Sequence, residues 1–349
     1  MPICILRARR VLRGYSIRSH RDGSVFRPKY LGIPKERYKR LPLREQQAPD
    51  QQKTKKSTDM KWEQGEESQN VEDRRSSGGR TVAIGGVGML ILVAVSYFLG
   101  VDPQQLTQVL GDGQSGQSEN GQGENRPLTP AEERTRSFSS KILRFTEKVW
   151  EEKFREAGAS YVPPRMVLFS DRVSTGCGVA PGAVGPFYCP EDRTVYLDPT
   201  FFDELQERLG GSKADFSQAY VIAHEVGHHV QNLLGYSRLV DQKRATLPKA
   251  EFNRWSVRLE LQADYLAGVW AHYGQEEFNF IEPGDLESAI QSANAIGDDR
   301  LQKRSTGFTS PEKYTHGTSE QRIKWFSRGW KTGDLGTLKA IFEMSYDDL

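Results

Sequence analysis

A run of 20 residues without a charged side chain, residues 82–101, constrains this chain more than any other feature of its sequence. A helix of that length rises by about 30 Å, which matches the hydrocarbon core of a bilayer. A buried core helix of this length would usually keep a polar face, and a signal peptide would lie closer to the N-terminus. The sequence therefore predicts one transmembrane helix at 82–101.

The charges that flank this run predict how the chain is oriented. Arg74, Arg75 and Arg80 precede it, and acidic residues follow it. The polar composition of segment 60–81 predicts that it is unstructured. By the positive-inside rule, this segment is expected in the cytoplasm, and everything after Val101 is expected to be exported. We therefore expect a single-pass membrane protein with a cytoplasmic N-terminus and a periplasmic or extracellular main domain.

The first 59 residues form a separate basic region. They contain 16 lysines and arginines against 5 acidic residues, although the whole chain has a formal net charge of only +2. They lack helical or strand periodicity, so a basic disordered arm, a nucleic-acid-binding arm, a targeting peptide and a mis-called start all remain open. Neither the nucleic-acid arm nor the targeting peptide has a supporting motif, and no nucleic-acid partner is expected.

Composition divides the rest of the chain into a linker and a folded domain. Residues 102–135 are rich in Gly, Gln, Ser and Asn, which predicts a flexible linker. Residues 136–349 show the periodic apolar pattern of a folded domain. Helices are predicted at 137–157, 215–234, 249–273 and 285–301, and strands at 165–169 and 194–198. The expected fold class is α+β, mostly helical with a small sheet, preceded by one transmembrane helix.

The motif that carries chemistry is HEVGH at residues 224–228. Positions i and i+4 of a helix point to the same side, so His224 and His228 can bind one ion. Glu225 lies beside that ion, where it can act on a water molecule as a general base. Two surface histidines would give the same pattern. However, Asp215 as an N-cap and an apolar stripe indicate a packed helix, which favours a Zn²⁺ site.

A catalytic zinc site needs a third protein ligand. The metzincin arrangement is excluded, because Gln231 and Leu234 stand where it requires Gly and His. The helix predicted at 249–273 offers Glu260 and Asp264, again four residues apart. A solvated acidic face is the alternative, but this helix is apolar almost all round, and buried carboxylates need a partner or a metal. Glu260 is therefore the predicted third ligand, and Asp264 is predicted to orient a ligating histidine.

The remaining histidines are weaker candidates. His229 points about 100° away from its neighbour on the helix, so it is expected beside the site or on the surface, and His272 is expected on the outer part of its helix. His316 lies in a loop that leads into a helix, where it is a candidate electrophile for the developing oxyanion. Arg322 is a candidate partner for Asp264.

Several segments in one order carry a family resemblance. HEVGHHVQ, then ELQAD with AGVWAH, then AIGDDRLQ and THGTSEQR resemble the bacterial neutral zinc metallopeptidase family, whose members carry an N-terminal membrane segment. The likeness runs from about Met60 to about Asp334 and includes MKWEQGEESQNVEDRRSSGG, TGCG, GPFYCP and TVYLD. Members of the family begin at the position of Met60, which favours an over-extended start for residues 1–59.

The resemblance implies a zincin-like peptidase domain with a gluzincin-like set of two histidines and one glutamate. Carried over to this sequence, His224, His228 and Glu260 would bind zinc, and Glu225 would be the general base. The prenyl-protein peptidase group has a similar layout, in which a later His-x-x-x-x-x-Arg segment borders the site; residues 316–322 have that form.

We therefore expect a membrane-anchored, exported zinc metallopeptidase, a hydrolase that acts on protein or peptide substrates. The alternative is a zinc-stabilised envelope protein that binds a partner without hydrolysis. Its zinc would be structural, and a fourth ligand such as His316 or Asp264 would close the site.

Cys177 and Cys189 are the two cysteines of the predicted domain. In an exported domain they can form a disulfide, whereas in the cytoplasm they would be small core thiols. The predicted topology favours the disulfide.

Overall fold

The computed structural model describes residues 60–75 and 126–349. The predicted arm at 1–59, the predicted transmembrane helix at 82–101 and most of the predicted linker lie outside the described residues. Within the two described ranges, no helix is both long and apolar enough to cross a membrane.

The described residues form nine α-helices and six strands. The strands are β1 (Val71–Asp73), β2 (Arg165–Leu168), β3 (Arg172–Thr175), β4 (Gly178–Pro181), β5 (Phe187–Cys189) and β6 (Thr194–Leu197). The helices are α1 (Pro130–Glu156), α2 (Thr200–Glu207), α3 (Asp215–Leu234), α4 (Tyr236–Arg244), α5 (Lys249–Phe278), α6 (Asp285–Ala295), α7 (Asp298–Thr306), α8 (Ser319–Thr332) and α9 (Thr337–Glu343). The fold is mostly helical with a small sheet, as the sequence predicted.

The main sheet has four strands in the order β1-β2-β6-β5. β1, β2 and β6 are parallel, and β5 runs antiparallel to β6 at one edge. β3 and β4 form a separate antiparallel hairpin. A disulfide between Cys177 and Cys189 joins the turn of this hairpin to β5. The hairpin is thereby held against the edge strand of the main sheet.

Residues 60–75 belong to the folded domain, so the expectation that 60–81 is an unstructured segment is wrong for this stretch. Met60 and Trp62 are buried in the main core, and β1 pairs with β2. The indole Nε1 of Trp62 donates to Asp215 Oδ2 over 2.7 Å. Asp215, predicted as the N-cap of its helix, is instead the first residue of α3.

Polar contacts complete the docking of this segment. Ser68 Oγ and Asn70 Nδ2 both donate to Oε1 of Glu147, a buried carboxylate on α1. The guanidinium of Arg75 donates to the backbone oxygen of Glu132 over 2.8 Å, in the first turn of α1. The polar side chains that suggested disorder therefore form buried and partly buried hydrogen bonds to α1.

Two helix boundaries differ from the prediction for local reasons. α1 begins at Pro130, inside the predicted linker, because Thr129 and Glu132 form a capping box. The helix predicted over 285–301 is broken into α6 and α7 at Gly297. A Cβ on Gly297 would lie 2.4 Å from the backbone nitrogen of Ser319, so the chain approaches the start of α8 too closely for a side chain.

The centre of the domain is formed by α3, α5 and α8. A Cβ on Gly227 of α3 would lie 3.0 Å from the Ala263 oxygen of α5, so these helices meet almost at backbone distance. α5 and α8 approach more closely, since a Cβ on Gly268 or Gly329 would lie 2.1 Å from a backbone oxygen of the facing helix. These two crossings bring the α3 motif, the α5 carboxylates and α8 together.

Candidate metal centre

Three side chains from two helices converge on one point. The Nε2 atom of His224 lies 3.3 Å from Glu260 Oε2, and the Nε2 atom of His228 lies 3.6 Å from Glu260 Oε1. One donor atom from each of the three residues lies within 4.8 Å of the other two. Two imidazole nitrogens and a carboxylate oxygen are a donor set of catalytic zinc sites. The structure thus brings together the three residues that were predicted as ligands.

The other nitrogen of each imidazole is held by an acceptor. His224 Nδ1 lies 2.9 Å from Asp264 Oδ1, and His228 Nδ1 lies 2.8 Å from Gln231 Oε1. The Gln231 amide is itself oriented, because its Nε2 donates to the Leu259 backbone oxygen over 2.6 Å. In the neutral form that binds a metal ion, each ring would carry its proton on Nδ1 and direct its Nε2 lone pair at the common point. The residues present therefore fit a metal ion.

Asp264 is a fully buried carboxylate that accepts hydrogen bonds from three residues on two helices, α3 and α8. Besides His224, the hydroxyl of Tyr220 donates to its Oδ1 over 2.6 Å. Arg322 of α8, predicted as its partner, donates from Nε and Nη2 over 2.9 and 3.0 Å. These bonds compensate the burial of the charge and hold the carboxylate against His224.

The charges of this cluster favour a cation. Burial opposes ionisation of Asp264, but Arg322 and His224 outweigh it and lower the pKa of Asp264 to about 2. Burial also opposes charge on His224, yet Asp264 raises the pKa of His224 to about 10. Glu260 is half-buried, and the positive charges of His228 and His316 hold its pKa well below the usual range. Both carboxylates are therefore ionised at neutral pH, which suits a bound cation.

The two predicted catalytic residues border the ligands. Glu225 is buried on α3 between the ligating histidines. Burial lowers the pKa of His228, but the opposing effect of Glu260 and Glu225 is larger and the pKa is raised overall, so both carboxylates act on this ring. His316 lies in the loop before α8, and the Glu260 carboxylate likewise raises its pKa against the effect of burial. His316 is not one of the three clustered donors.

The other two helical histidines bind elsewhere. His229 is fully buried, with Nε2–H donating to the Val162 oxygen over 2.7 Å and Nδ1 accepting from the Tyr188 hydroxyl over 3.0 Å. It therefore joins α3 to β5. His272 Nδ1 donates to the Trp330 oxygen over 2.8 Å, so this side chain lies between α5 and α8. The expectation that it lies on the outer part of its helix is therefore wrong.

Sequence reasoning missed three residues of this centre. Tyr220 and Gln231 lie four residues before and three residues after a ligating histidine, a spacing that places them on the ligand face of α3 and could have indicated their roles. Asp298, which contacts His316, carries no comparable local signal, because the two residues are 18 positions apart on different elements.

Comparison with known proteins decides the family. The sequence model of the family described as "Putative neutral zinc metallopeptidase" matches residues 60–340. The chain belongs to this family. The resemblance drawn from the sequence motifs is thereby confirmed, and the family cofactor is zinc, for which the His/His/Glu cluster is suited. Membership also supports classification as a hydrolase.

The relatives cover different shares of the chain. "Uncharacterized protein YpfJ" of Escherichia coli strain K12 is 46% identical over 285 residues, which cover 79% of this chain and 96% of that protein. "Uncharacterized protein Rv2575" of Mycobacterium tuberculosis strain H37Rv is 48% identical over 183 residues, covering 50% of this chain and 61% of that protein. No solved structure matches significantly.

Proposed function

We propose that this chain is a zinc-dependent peptidase that hydrolyses peptide bonds with Glu225 as its general base. The observation that carries the proposal is a cluster of three protein donors in the described residues. Structural zinc sites are closed by four protein ligands, whereas catalytic sites keep one position for water or substrate. Asp264 is bound by Arg322 and Tyr220, and His316 is not one of the donors that cluster in the described residues, which argues against either residue as a fourth ligand.

Each residue has a separate role in the proposed reaction. When bound, zinc polarises the scissile carbonyl and lowers the pKa of a water molecule. Glu225 accepts a proton from the attacking water and transfers it to the leaving amine. His316 donates a hydrogen bond from Nε2 to the carbonyl oxygen as that oxygen gains negative charge. Arg322 holds Asp264, and Asp264 holds the ring of His224.

The test measures zinc content and hydrolysis of casein and of a peptide library with the purified full chain. We expect Glu225→Gln to keep near-stoichiometric zinc and to lose hydrolysis by a factor of about 10² to 10⁴ or more, because it removes the base and retains the ligands. Glu260→Ala should lose zinc. Zinc without hydrolysis in the wild type would favour the structural-zinc protein that binds a partner, and absence of zinc would refute both functions.

We also propose that residues 82–101 attach the peptidase to a membrane and that the domain is exported. The disulfide between Cys177 and Cys189 supports an oxidising compartment. The docking of 60–75 onto the domain adds a condition, because two parts of one folded body lie on the same side of a membrane. This packing argues against placing 60–81 in the cytoplasm and 136–349 outside. In the proposed attachment, residues 60–75 and 126–349 therefore lie on the same side of the membrane.

A further inference from the structure

Asp298, the first residue of α7, forms hydrogen bonds that have no role in the proposed mechanism. Its Oδ2 accepts from three successive backbone N–H groups, those of Thr315, His316 and Gly317, at 2.6, 2.6 and 3.0 Å. Its backbone N–H donates to the Gly317 oxygen over 2.9 Å. One buried aspartate thus fixes the whole turn that presents His316.

The same carboxylate also contacts the imidazole. Asp298 Oδ1 lies 3.2 Å from Nδ1 of His316, and the Thr315 hydroxyl lies 3.2 Å from the same nitrogen. An ionised carboxylate only accepts hydrogen bonds, so the ring proton in this contact is on Nδ1. Burial raises the pKa of Asp298, but the hydrogen bond from His316 and the turn amides outweigh it, and the group stays ionised.

The turn leaves little freedom for the ring. Gly317 has a φ of +89°, a conformation that glycine adopts readily, and this permits three consecutive amides to face one oxygen. The charged groups that act on His316 come from three helices: Glu260 of α5 and Asp298 of α7 favour its positive charge, and Arg322 of α8 opposes it.

We propose that Asp298 is the positioning residue of His316: it fixes the turn 315–317, accepts from Nδ1–H and so orients the ring for donation from Nε2 to the substrate. This inference rests on the proposed function, in which His316 contacts the carbonyl oxygen of the substrate. Asp298 itself acts only through His316. Its removal must therefore have no further effect once the imidazole is absent.

The experiment is a double-mutant cycle in the full chain, with Asp298→Asn, His316→Ala and the double variant. Asparagine keeps an oxygen for the three amides, but its NH2 group replaces the oxygen that accepts from Nδ1–H of His316. We expect Asp298→Asn to lower kcat about tenfold or more with KM and zinc content nearly unchanged. We expect His316→Ala to lower kcat by about 10² to 10³. The double variant should match His316→Ala within about twofold, because the two residues act as one unit.

Asp299→Asn is the matched control. Asp299 is the next residue on α7, and its Oδ1 accepts from Ser319 N and Oγ at 2.8 and 2.9 Å, at the start of α8. It should leave kcat within about twofold of the wild type. Normal activity of Asp298→Asn, or multiplied losses in the double variant, would overturn the positioning role. Full hydrolysis by Glu225→Gln would instead refute the proposed function, whatever Asp298 does.

A measurement on the wild type covers the case in which Asp298→Asn does not fold. With ¹⁵N-labelled histidine, the imidazole shifts of His316 report which ring nitrogens carry protons. We expect a protonated Nδ1. An unprotonated Nδ1 would overturn the inference without any variant.

Discussion

The adjacent residues His228 and His229 show how one helix separates two kinds of histidine. His228 directs Nε2 towards the metal centre, whereas both ring nitrogens of His229 are bound by Val162 and Tyr188 on the other side of α3. Burial is the largest effect on His229 and lowers its pKa to about 4. The folded protein therefore needs this ring neutral, which ties its stability to pH.

The substitution His229→Phe tests this link. The unfolded chain binds a proton at His229 below about pH 6.5, and the native state does so only near pH 4, so the wild type loses stability as pH falls between these values. The loss amounts to about 3 kcal/mol in full, at about 1.4 kcal/mol per pKa unit. His229→Phe should be less stable than the wild type at pH 7, by about 1–3 kcal/mol for the lost hydrogen bonds. Urea unfolding should show that this deficit shrinks towards pH 4.5, and a constant deficit would contradict the prediction.

Gln231 gives a second prediction at the scale of one residue. Its amide oxygen accepts from Nδ1 of His228, so it fixes the ring that presents Nε2. Gln231→Leu should weaken zinc binding about 10- to 100-fold in a competition with a chelator, as is common for groups that orient metal ligands. Asn232→Leu is the control, since its amide donates to Tyr188 and not to a predicted ligand. Equal zinc affinity in both variants would show that Gln231 does not orient His228.

The sequence alone predicts those residues of the centre whose relation is local. His224 and His228, or Glu260 and Asp264, share a face because a helix repeats every 3.6 residues. Asp298 could not be found in this way, because its meeting with His316 depends on how α7 and α8 are placed.

At the scale of elements, the crossing of α5 and α8 determines where Arg322 meets Asp264. Gly268 and Gly329 face each other there, with the backbones in contact. Apolar periodicity predicted α5, but it could not predict which helix lies against it or how closely. The sheet illustrates the same limit: β2 and β6 were predicted from apolar runs, whereas β1 has a polar sequence and was missed.

Gly329→Ala tests the importance of this crossing. The new Cβ would lie 2.1 Å from the Tyr265 oxygen, so the two helices must separate. We expect a loss of about 1–3 kcal/mol or more in the free energy of unfolding, together with weaker zinc binding, because Arg322 moves away from Asp264. Gly336→Ala is the control, since its φ of −67° suits alanine and its nearest neighbour is the Asp334 side chain. Equal unfolding midpoints for the two variants would contradict the prediction.

At the scale of the whole molecule, residues 60–75 and 126–349 share one core although 50 residues separate them in the chain. Trp62 packs edge-to-face on Phe138 and donates to Asp215, the first residue of the helix that carries the metal ligands. The segment that sequence analysis assigned to the cytoplasm therefore supports the start of the helix that carries His224 and His228. A family match that begins at residue 60 agrees with this, since it includes the segment with the domain.

The location of these two parts relative to a membrane can be measured with single cysteines. Gln64→Cys and Lys303→Cys place a thiol on an exposed residue of each part, and Cys4→Ser removes the remaining cysteine outside the disulfide. Because both parts belong to one core, we expect a membrane-impermeant maleimide to label both thiols to the same extent in cells with an intact plasma membrane. Detergent-permeabilised cells give the full labelling of each variant as a control. Labelling of Lys303→Cys with protection of Gln64→Cys would mean that the two parts lie on opposite sides, and that the contacts of Trp62 and β1 do not form in the cell.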